Sequence, residues 1–196
     1  MKAQCIYALI FSIMVSFTSS ATNPAGEPQD PDNYETQLER MTRAYYYMQT
    51  NYHKQAAELY KALASEGYIP AQYELGLCCI RGLGVDQDPA KAAYWFRKAA
   101  EKGNADAQLE LGICYYDGEG VKQDYKNAAR WFRLSAEQGV PIAMYNLGVC
   151  YEKGRGVPVN TPVAIMWYRK AAKAGHHTAR QALSRIAEKQ RSFRSM

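Results

Sequence analysis

The chain of 196 residues has little of what catalytic sites commonly require. It contains three histidines, His53, His176 and His177, and its five cysteines form no C-x-x-C pair. A metal site needs several such ligands brought together, and no spacing of that kind occurs. The motifs S-x-x-K, H-E-x-x-H and G-x-S-x-G are also missing, which removes the signatures of several hydrolase families. We therefore predict no catalytic residues, no metal and no other cofactor.

The excess of charge of one sign is small. Lysine and arginine number 24 against 19 acidic residues, a formal net charge of +5, and no nucleic-acid-reading motif accompanies it, so we predict no nucleic-acid partner. Basic residues do gather near the C-terminus. They form a solvated face or, alternatively, meet an anionic envelope component. These residues are Arg180, Arg185, Lys189, Arg191 and Arg194.

A long apolar run occurs only near the N-terminus. Lys2 precedes an apolar stretch over residues 6–17, and Ser19-Ser20-Ala21 supplies small residues for cleavage. We predict that residues 1–21 are a secretory signal peptide, because the run is short for a membrane span. The mature chain would then be a periplasmic or secreted bacterial protein without a transmembrane segment; retention of the signal as an anchor is the alternative. Residues 22–35 hold three prolines and are predicted to be a linker.

One stretch, residues 71–103, is written three times. The copies begin at residues 71, 107 and 143, a spacing of 36 without insertion or deletion. A fixed period in this range is typical of a solenoid. Twelve positions are identical in all three copies, which in the first copy are Ala71, Leu75, Gly76, Cys78, Gly82, Gly84, Val85, Ala92, Trp95, Arg97, Ala100 and Gly103.

Each copy has the pattern of a helical hairpin. Its two halves show apolar residues at helical spacing, separated by a G-x-G-V turn. Asp88, Asp124 and Asn160 are predicted to cap the second helices at their N-termini. A glycine is predicted to end each second helix as its C-cap, as Gly103 does in the first copy. A further glycine inside the first helix, Gly76 in the first copy, costs about 1 kcal/mol against alanine. Its recurrence predicts close approach to the alanine-rich second helix.

The hairpins define the predicted organisation: an all-α chain forming an α/α superhelical solenoid over residues 36–196. Residues 36–67 form a hairpin without the G-x-G-V turn, residues 68–103, 104–139 and 140–175 form the three full repeats, and residues 176–192 form a capping helix. Trp131 in the middle copy is expected to be buried. The structural repeat residues are Gly76, Gly82, Gly84, Trp95, Gly112, Gly118, Gly120, Trp131, Gly148, Gly154, Gly156 and Trp167.

The repeat pattern A-x-Y-x-L-G-x-x-Y-x-x-G-x-G-V, followed by D-x-x-x-A-x-x-W-[FY]-R-x-A-A-x-x-G, resembles the Sel-one-like repeat (SLR). That family implies an α/α solenoid related to the tetratricopeptide repeat (TPR), and residues 36–67 look TPR-like. The resemblance covers residues 71–178. It departs from the family at Cys79, where Tyr115 and Tyr151 keep the usual aromatic residue.

The three cysteines at one repeat position, Cys78, Cys114 and Cys150, are predicted to be buried. Equivalent residues on stacked helices lie about 8–10 Å apart, beyond the usual Cα limit of about 7 Å for a disulfide. We therefore predict that these cysteines and Cys79 are free thiols. An oxidising compartment favours pairing, so a disulfide remains the alternative.

The side of each first helix opposite the core is the candidate binding surface, here called the first-helix strip. We predict that it lines a concave groove of a monomeric scaffold and binds a protein or peptide; packing between repeats is the alternative use of these side chains. The strip comprises Tyr73, Leu77, Ile80, Arg81, Leu109, Ile113, Tyr116, Asp117, Tyr145, Val149, Glu152 and Lys153.

The resemblance also implies an alternative function. Some cysteine-rich members of the repeat family bind β-lactams or hydrolyse them weakly. Those members place paired cysteines on both helices of a repeat, whereas the second helices here carry none. We therefore favour a non-catalytic adaptor, with a β-lactam-binding protein or a weak β-lactamase-like hydrolase as the alternative.

Overall fold

The computed structural model describes residues 36–194, and all regular structure within them is helical. The predicted signal peptide and linker lie outside the described residues. The helices of this part are α1 (Gln37–Gln49), α2 (His53–Ser65), α3 (Ile69–Arg81), α4 (Pro89–Glu101), α5 (Ala105–Asp117), α6 (Tyr125–Glu137), α7 (Pro141–Lys153), α8 (Thr161–Lys173) and α9 (His177–Arg194).

The helices pack in chain order. The most extensive contacts are within the hairpins α3/α4, α5/α6 and α7/α8, and each hairpin also packs against the next. The α1/α2 hairpin precedes them, and α9 packs against α8. The predicted all-α solenoid of helical hairpins is confirmed.

The predicted N-caps are confirmed. The Asp88 side chain accepts a hydrogen bond of 3.0 Å from the backbone N–H of Lys91 at the start of α4. Asp124 accepts from Lys126 and Asn127 at the start of α6, and Asn160 caps α8 in the same way. These contacts satisfy backbone donors that have no partner within the helix.

The second glycine of the G-x-G-V turn marks a contact between repeats. Gly120 has a φ of +72°, and a Cβ built on it would overlap the backbone carbonyl of Pro89. Gly84 meets His53 and Gly156 meets Tyr125 in the same way. Each turn therefore lies directly on the start of the second helix of the preceding hairpin, where no side chain fits.

The glycine inside each first helix contacts an aromatic ring. A Cβ on Gly112 would lie 2.6 Å from Cδ1 of Phe132. Gly76 and Gly148 face Phe96 and Tyr168 in the same way. The predicted close approach to the second helix is confirmed, and the contacting group on that helix is its buried aromatic residue.

The three repeated tryptophans differ in burial. Trp167 is 8% exposed, whereas Trp95 and Trp131 are half-buried. The expectation that Trp131 is buried is therefore wrong. Phe132 is buried instead, at 1% exposure, because it fills the space beside Gly112 between the two helices. The Trp131 ring lies at the margin of the stack, with the Arg130 guanidinium 5.7 Å from its centre.

Candidate protein-binding surface

The first-helix strip lies on α3, α5 and α7, with one exception. Leu109 is 6% exposed and packs in a cluster with Ala129 and Phe132. Its assignment to the surface is wrong, because it belongs to a buried cluster that includes residues of α6, the second helix of its own hairpin. The charged ends Arg81, Asp117 and Lys153 are exposed. The remaining strip residues are half-buried: Tyr73, Leu77, Ile80, Ile113, Tyr116, Tyr145, Val149 and Glu152.

A pocket of about 260 Å³ opens within the strip, between the middle and third repeats. Ile113 and Val149 form apolar walls from α5 and α7. Phe132 also lines it, and Asn146, which the sequence reasoning did not select, adds an amide. Tyr116 and Asp117 complete the lining. The strip therefore includes a preformed depression whose walls are mainly apolar and whose edge is polar.

Tyr116 is fixed in place by its neighbours. Its ring lies 5.3 Å from that of Tyr125 and 6.0 Å from that of Phe132, measured between ring centres. The guanidinium of Arg155, in the turn of the third repeat, lies 5.0 Å from the ring centre and donates to the Tyr116 hydroxyl. Burial raises the pKa of Tyr116, while the hydrogen bond from Arg155 opposes that rise. Tyr116 thus forms a rigid wall of the pocket.

Two other strip tyrosines serve packing within the repeats. The Tyr73 ring centre is 6.1 Å from that of Phe96, and burial raises the pKa of Tyr73 to about 12. Tyr145 packs against Tyr168 at 5.5 Å and stacks on His176 at 4.7 Å. Tyr73 and Tyr145 therefore pack against other aromatic rings as well as contributing to the surface of the strip.

Carboxylates on the first helices are partly buried. Glu152 accepts hydrogen bonds from the Tyr168 hydroxyl at 2.6 Å and from Arg185 at 2.7 Å, so it joins the third repeat to α9. Glu74 and Glu110 were missed by the sequence reasoning, although their spacing of 36 places them at one repeat position. Burial raises the pKa of both carboxyls, and nearby Arg81 opposes the rise.

The four cysteines among the described residues, Cys78, Cys79, Cys114 and Cys150, are buried and unpaired. Burial raises the pKa of Cys78 and Cys114 to about 12 and that of Cys150 to about 11. The pKa of Cys79 is also raised by burial. Because the thiolate is the reactive form, these thiols are poor nucleophiles at neutral pH.

Residues 36–194 contain no group of three or more His, Cys, Asp or Glu side chains arranged to hold a metal ion. Within the same residues, none of the helices combines the length and the apolar character that a membrane span requires.

Solved structures similar to this chain share its fold. A protective antigen of uropathogenic Escherichia coli with an SLR fold is 39% identical, with a TM-score of 0.71 over 74% of this chain and 32% of that one. A Sel1 repeat protein from Oxalobacter formigenes is 31% identical, with a TM-score of 0.72 over 80% of this chain and 66% of that one. The chain thus spans about a third of the length of the first protein and about two thirds of the length of the second.

The cysteine rich protein B of Helicobacter pylori matches at 22% identity, with a TM-score of 0.50 over 73% of this chain and 96% of that one, and shows the fold alone. No curated protein matches the chain. The Sel1 repeat family model matches residues 69–104, 105–140 and 141–176, which together are more than half of the chain. These three units coincide with the hairpins α3/α4, α5/α6 and α7/α8, so the chain belongs to the Sel1 repeat family.

Proposed function

We propose that this chain is an exported, monomeric, non-catalytic scaffold that binds a protein or peptide along the first-helix strip. Sel1 repeats generally mediate protein interactions. The observation that carries the proposal is the pocket between Ile113 and Val149, whose volume is about 260 Å³. It lies between the middle and third repeats of the strip and is large enough to hold one apolar side chain of a partner.

The apolar residues of the strip are arranged for a linear partner. Leu77, Ile113 and Val149 recur every 36 residues and lie on successive first helices. All three are half-buried, so each keeps exposed apolar surface. An extended peptide or an amphipathic helix that crosses these helices would bury one apolar group at each step.

The charged ends of the strip favour a partner with a defined charge order. Arg81, Asp117 and Lys153 occupy one repeat position, and all three are exposed. Their signs alternate along the stack from positive to negative to positive. Complementary charges on a partner would select its direction and register more than they would add affinity.

We propose that the scaffold is non-catalytic because the cysteines and Ser135 lie in settings that do not activate a nucleophile. Burial raises the pKa of all four described cysteines, and the largest rises reach about 12. Ser135 is buried, and its hydroxyl donates to the backbone carbonyl of Ala105 at 2.8 Å. A nucleophile needs the opposite setting, with a lowered pKa or an adjacent base. Export is supported by the sequence of residues 1–21.

The proposal is tested by capturing a binding partner and then comparing its affinity for two matched variants of the protein. Mature protein captures a binder from the envelope fraction of its own cells, and the affinity of that binder is measured by calorimetry. Ile113→Asp places a charge in the pocket and should weaken binding by at least about 2 kcal/mol, roughly thirtyfold.

Met166→Asp is the control, because Met166 lies on second helix α8 and is 42% exposed. It makes the same charge change away from the strip and should leave affinity unchanged. Circular dichroism must show that both variants are folded. Equal affinity of folded Ile113→Asp and the unaltered chain would refute the role of the strip.

A further inference from the structure

A larger pocket, of about 610 Å³, opens in the first repeat and contains no residue of the first-helix strip. We call it the Cys79 pocket. Cys79 lines it with 4% of its own surface exposed, beside Leu75 and Trp95. Lys61 from α2 and Lys91 from α4 also line it. The pocket therefore combines apolar walls with two basic side chains and the carboxylate of Asp86.

The other two repeats show which group is missing here. Between the first and second repeats, Arg97 Nη2 donates a hydrogen bond of 2.8 Å to the Tyr115 hydroxyl, with the guanidinium 5.8 Å from the ring centre. Arg133 donates to Tyr151 at the same distance, one period later. Thirty-six residues before Arg97 and Tyr115 stand Lys61 and Cys79. The cation is therefore kept on α2 of the preceding hairpin, as Lys61, while Cys79 replaces the aromatic ring in the first repeat.

The surroundings of the missing ring are retained. Leu75, Val85 and Trp95 line the pocket, and the same three residue types occupy these positions in the other repeats. In the second repeat Tyr115 packs against the core together with Val121 and Trp131. The first repeat thus keeps the residue types that occur near this position in the other repeats, and Cys79 is too short to take the place of a tyrosine ring.

We propose that the Cys79 pocket binds an aromatic side chain of a partner polypeptide, whose ring occupies the space that Tyr115 and Tyr151 fill in the next repeats. The Lys61 ammonium faces that ring as Arg97 faces Tyr115. Lys91 is less available, because its Nζ pairs with Asp88 at 2.9 Å. A cation over a ring favours an aromatic over an aliphatic side chain of the same shape. This site is separate from the first-helix strip and does not depend on it.

The test is an NMR titration of the ¹⁵N-labelled full chain with N-acetyl-phenylalaninamide. Its matched control is N-acetyl-cyclohexylalaninamide, which has nearly the same shape but no π-system. Saturable shifts are expected at the Trp95 indole N–H and at the Lys61 and Cys79 amides. The phenyl compound should bind about two- to fivefold more tightly, the fold-change that corresponds to 0.5–1 kcal/mol for an exposed cation–π contact.

Two variants test the assignment. Cys79→Tyr combined with Lys61→Arg recreates the pair of the later repeats; it should abolish the shifts and raise the melting temperature. Lys61→Ala keeps the pocket open and should remove the preference for the phenyl compound, which tests the proposal even if the filled variant does not fold. Ile113→Asp should leave the titration unchanged.

Three results would overturn the proposal. The first is an absence of shifts in the unaltered chain, and the second is persistence of the shifts when Cys79→Tyr fills the pocket in a folded protein. The third is binding of toluene without binding of N-acetyl-phenylalaninamide, because the pocket would then admit a free aromatic molecule but not a side chain carried on a polypeptide.

Discussion

The imidazole of His176 stacks on the ring of Tyr145, with 4.7 Å between ring centres and 20° between planes. This contact joins α7 to the residue that precedes α9. His176 Nδ1 also accepts a hydrogen bond of 3.3 Å from the backbone N–H of Ala179. The capping contact requires an unprotonated Nδ1. Burial lowers the pKa of His176, and the adjacent His177 lowers it further.

The docking of α9 should therefore weaken in mild acid. The folded state holds His176 neutral, whereas the unfolded chain takes up a proton near pH 6.5. Stability from this residue is present above about pH 6.5 and is lost as the pH falls towards the lower folded pKa. His176→Asn keeps a capping acceptor without the titration. Melting temperatures between pH 7.5 and 5.5 should fall more for the unaltered chain than for this variant; identical pH profiles would contradict the assignment.

Gly112→Ala should destabilise the protein despite the higher helix propensity of alanine. The added Cβ would lie 2.6 Å from the Phe132 ring, and overpacking of this kind costs about 1–3 kcal/mol. Chemical denaturation measures the change. In the background of Phe132→Leu the same substitution should cost much less, because the smaller side chain leaves room. A cost that is equal in both backgrounds would show that the two residues do not meet.

Phe132→Ala should be far more damaging than Trp131→Ala. Phe132 is 1% exposed, so its removal leaves a cavity and should cost about 3–5 kcal/mol. Trp131 is half-buried, and part of its space is already open to water. Urea denaturation of both variants checks the order. A larger loss for Trp131→Ala would mean that the second helices are rotated from the positions described.

The thiols should be free but unreactive in the folded protein. Because burial raises the pKa of Cys78 to about 12, its thiolate fraction at pH 8 should be lower than that of a free cysteine by roughly a thousandfold. Titration with Ellman's reagent should be slow in buffer and report four groups per mature chain in denaturant without reductant. A total of two would reveal a disulfide.

The repeat period made the fold predictable. Twelve identical positions at a spacing of 36 determined the hairpins, and cap residues such as Asp88 marked where the second helices begin. These features are local, so they can be recognised before any tertiary contact is known. The close approach at Gly112 was also predictable, because a recurrent glycine within a helix requires a packing reason.

The binding surface was less predictable, because its contacts join positions that differ between repeats. Helical spacing placed Leu109 opposite the core of its own hairpin, but it lies in a buried cluster with Ala129 and Phe132 of the second helix. The contact from Arg155 to Tyr116 spans 39 residues, and neither residue type recurs in the other copies. A period of 36 gives no signal for such a pair, so the fixed orientation of Tyr116 emerged only from the structure.

Photocross-linking from position 113 tests the central claim most directly. p-Benzoylphenylalanine replaces Ile113 in one variant of the full chain and Met166 in another, and both are irradiated with the captured binder. Binding along the first-helix strip predicts a covalent adduct from position 113 and none from position 166. An adduct from position 166 alone, with both variants folded, would place the binding surface on the second helices and contradict the account.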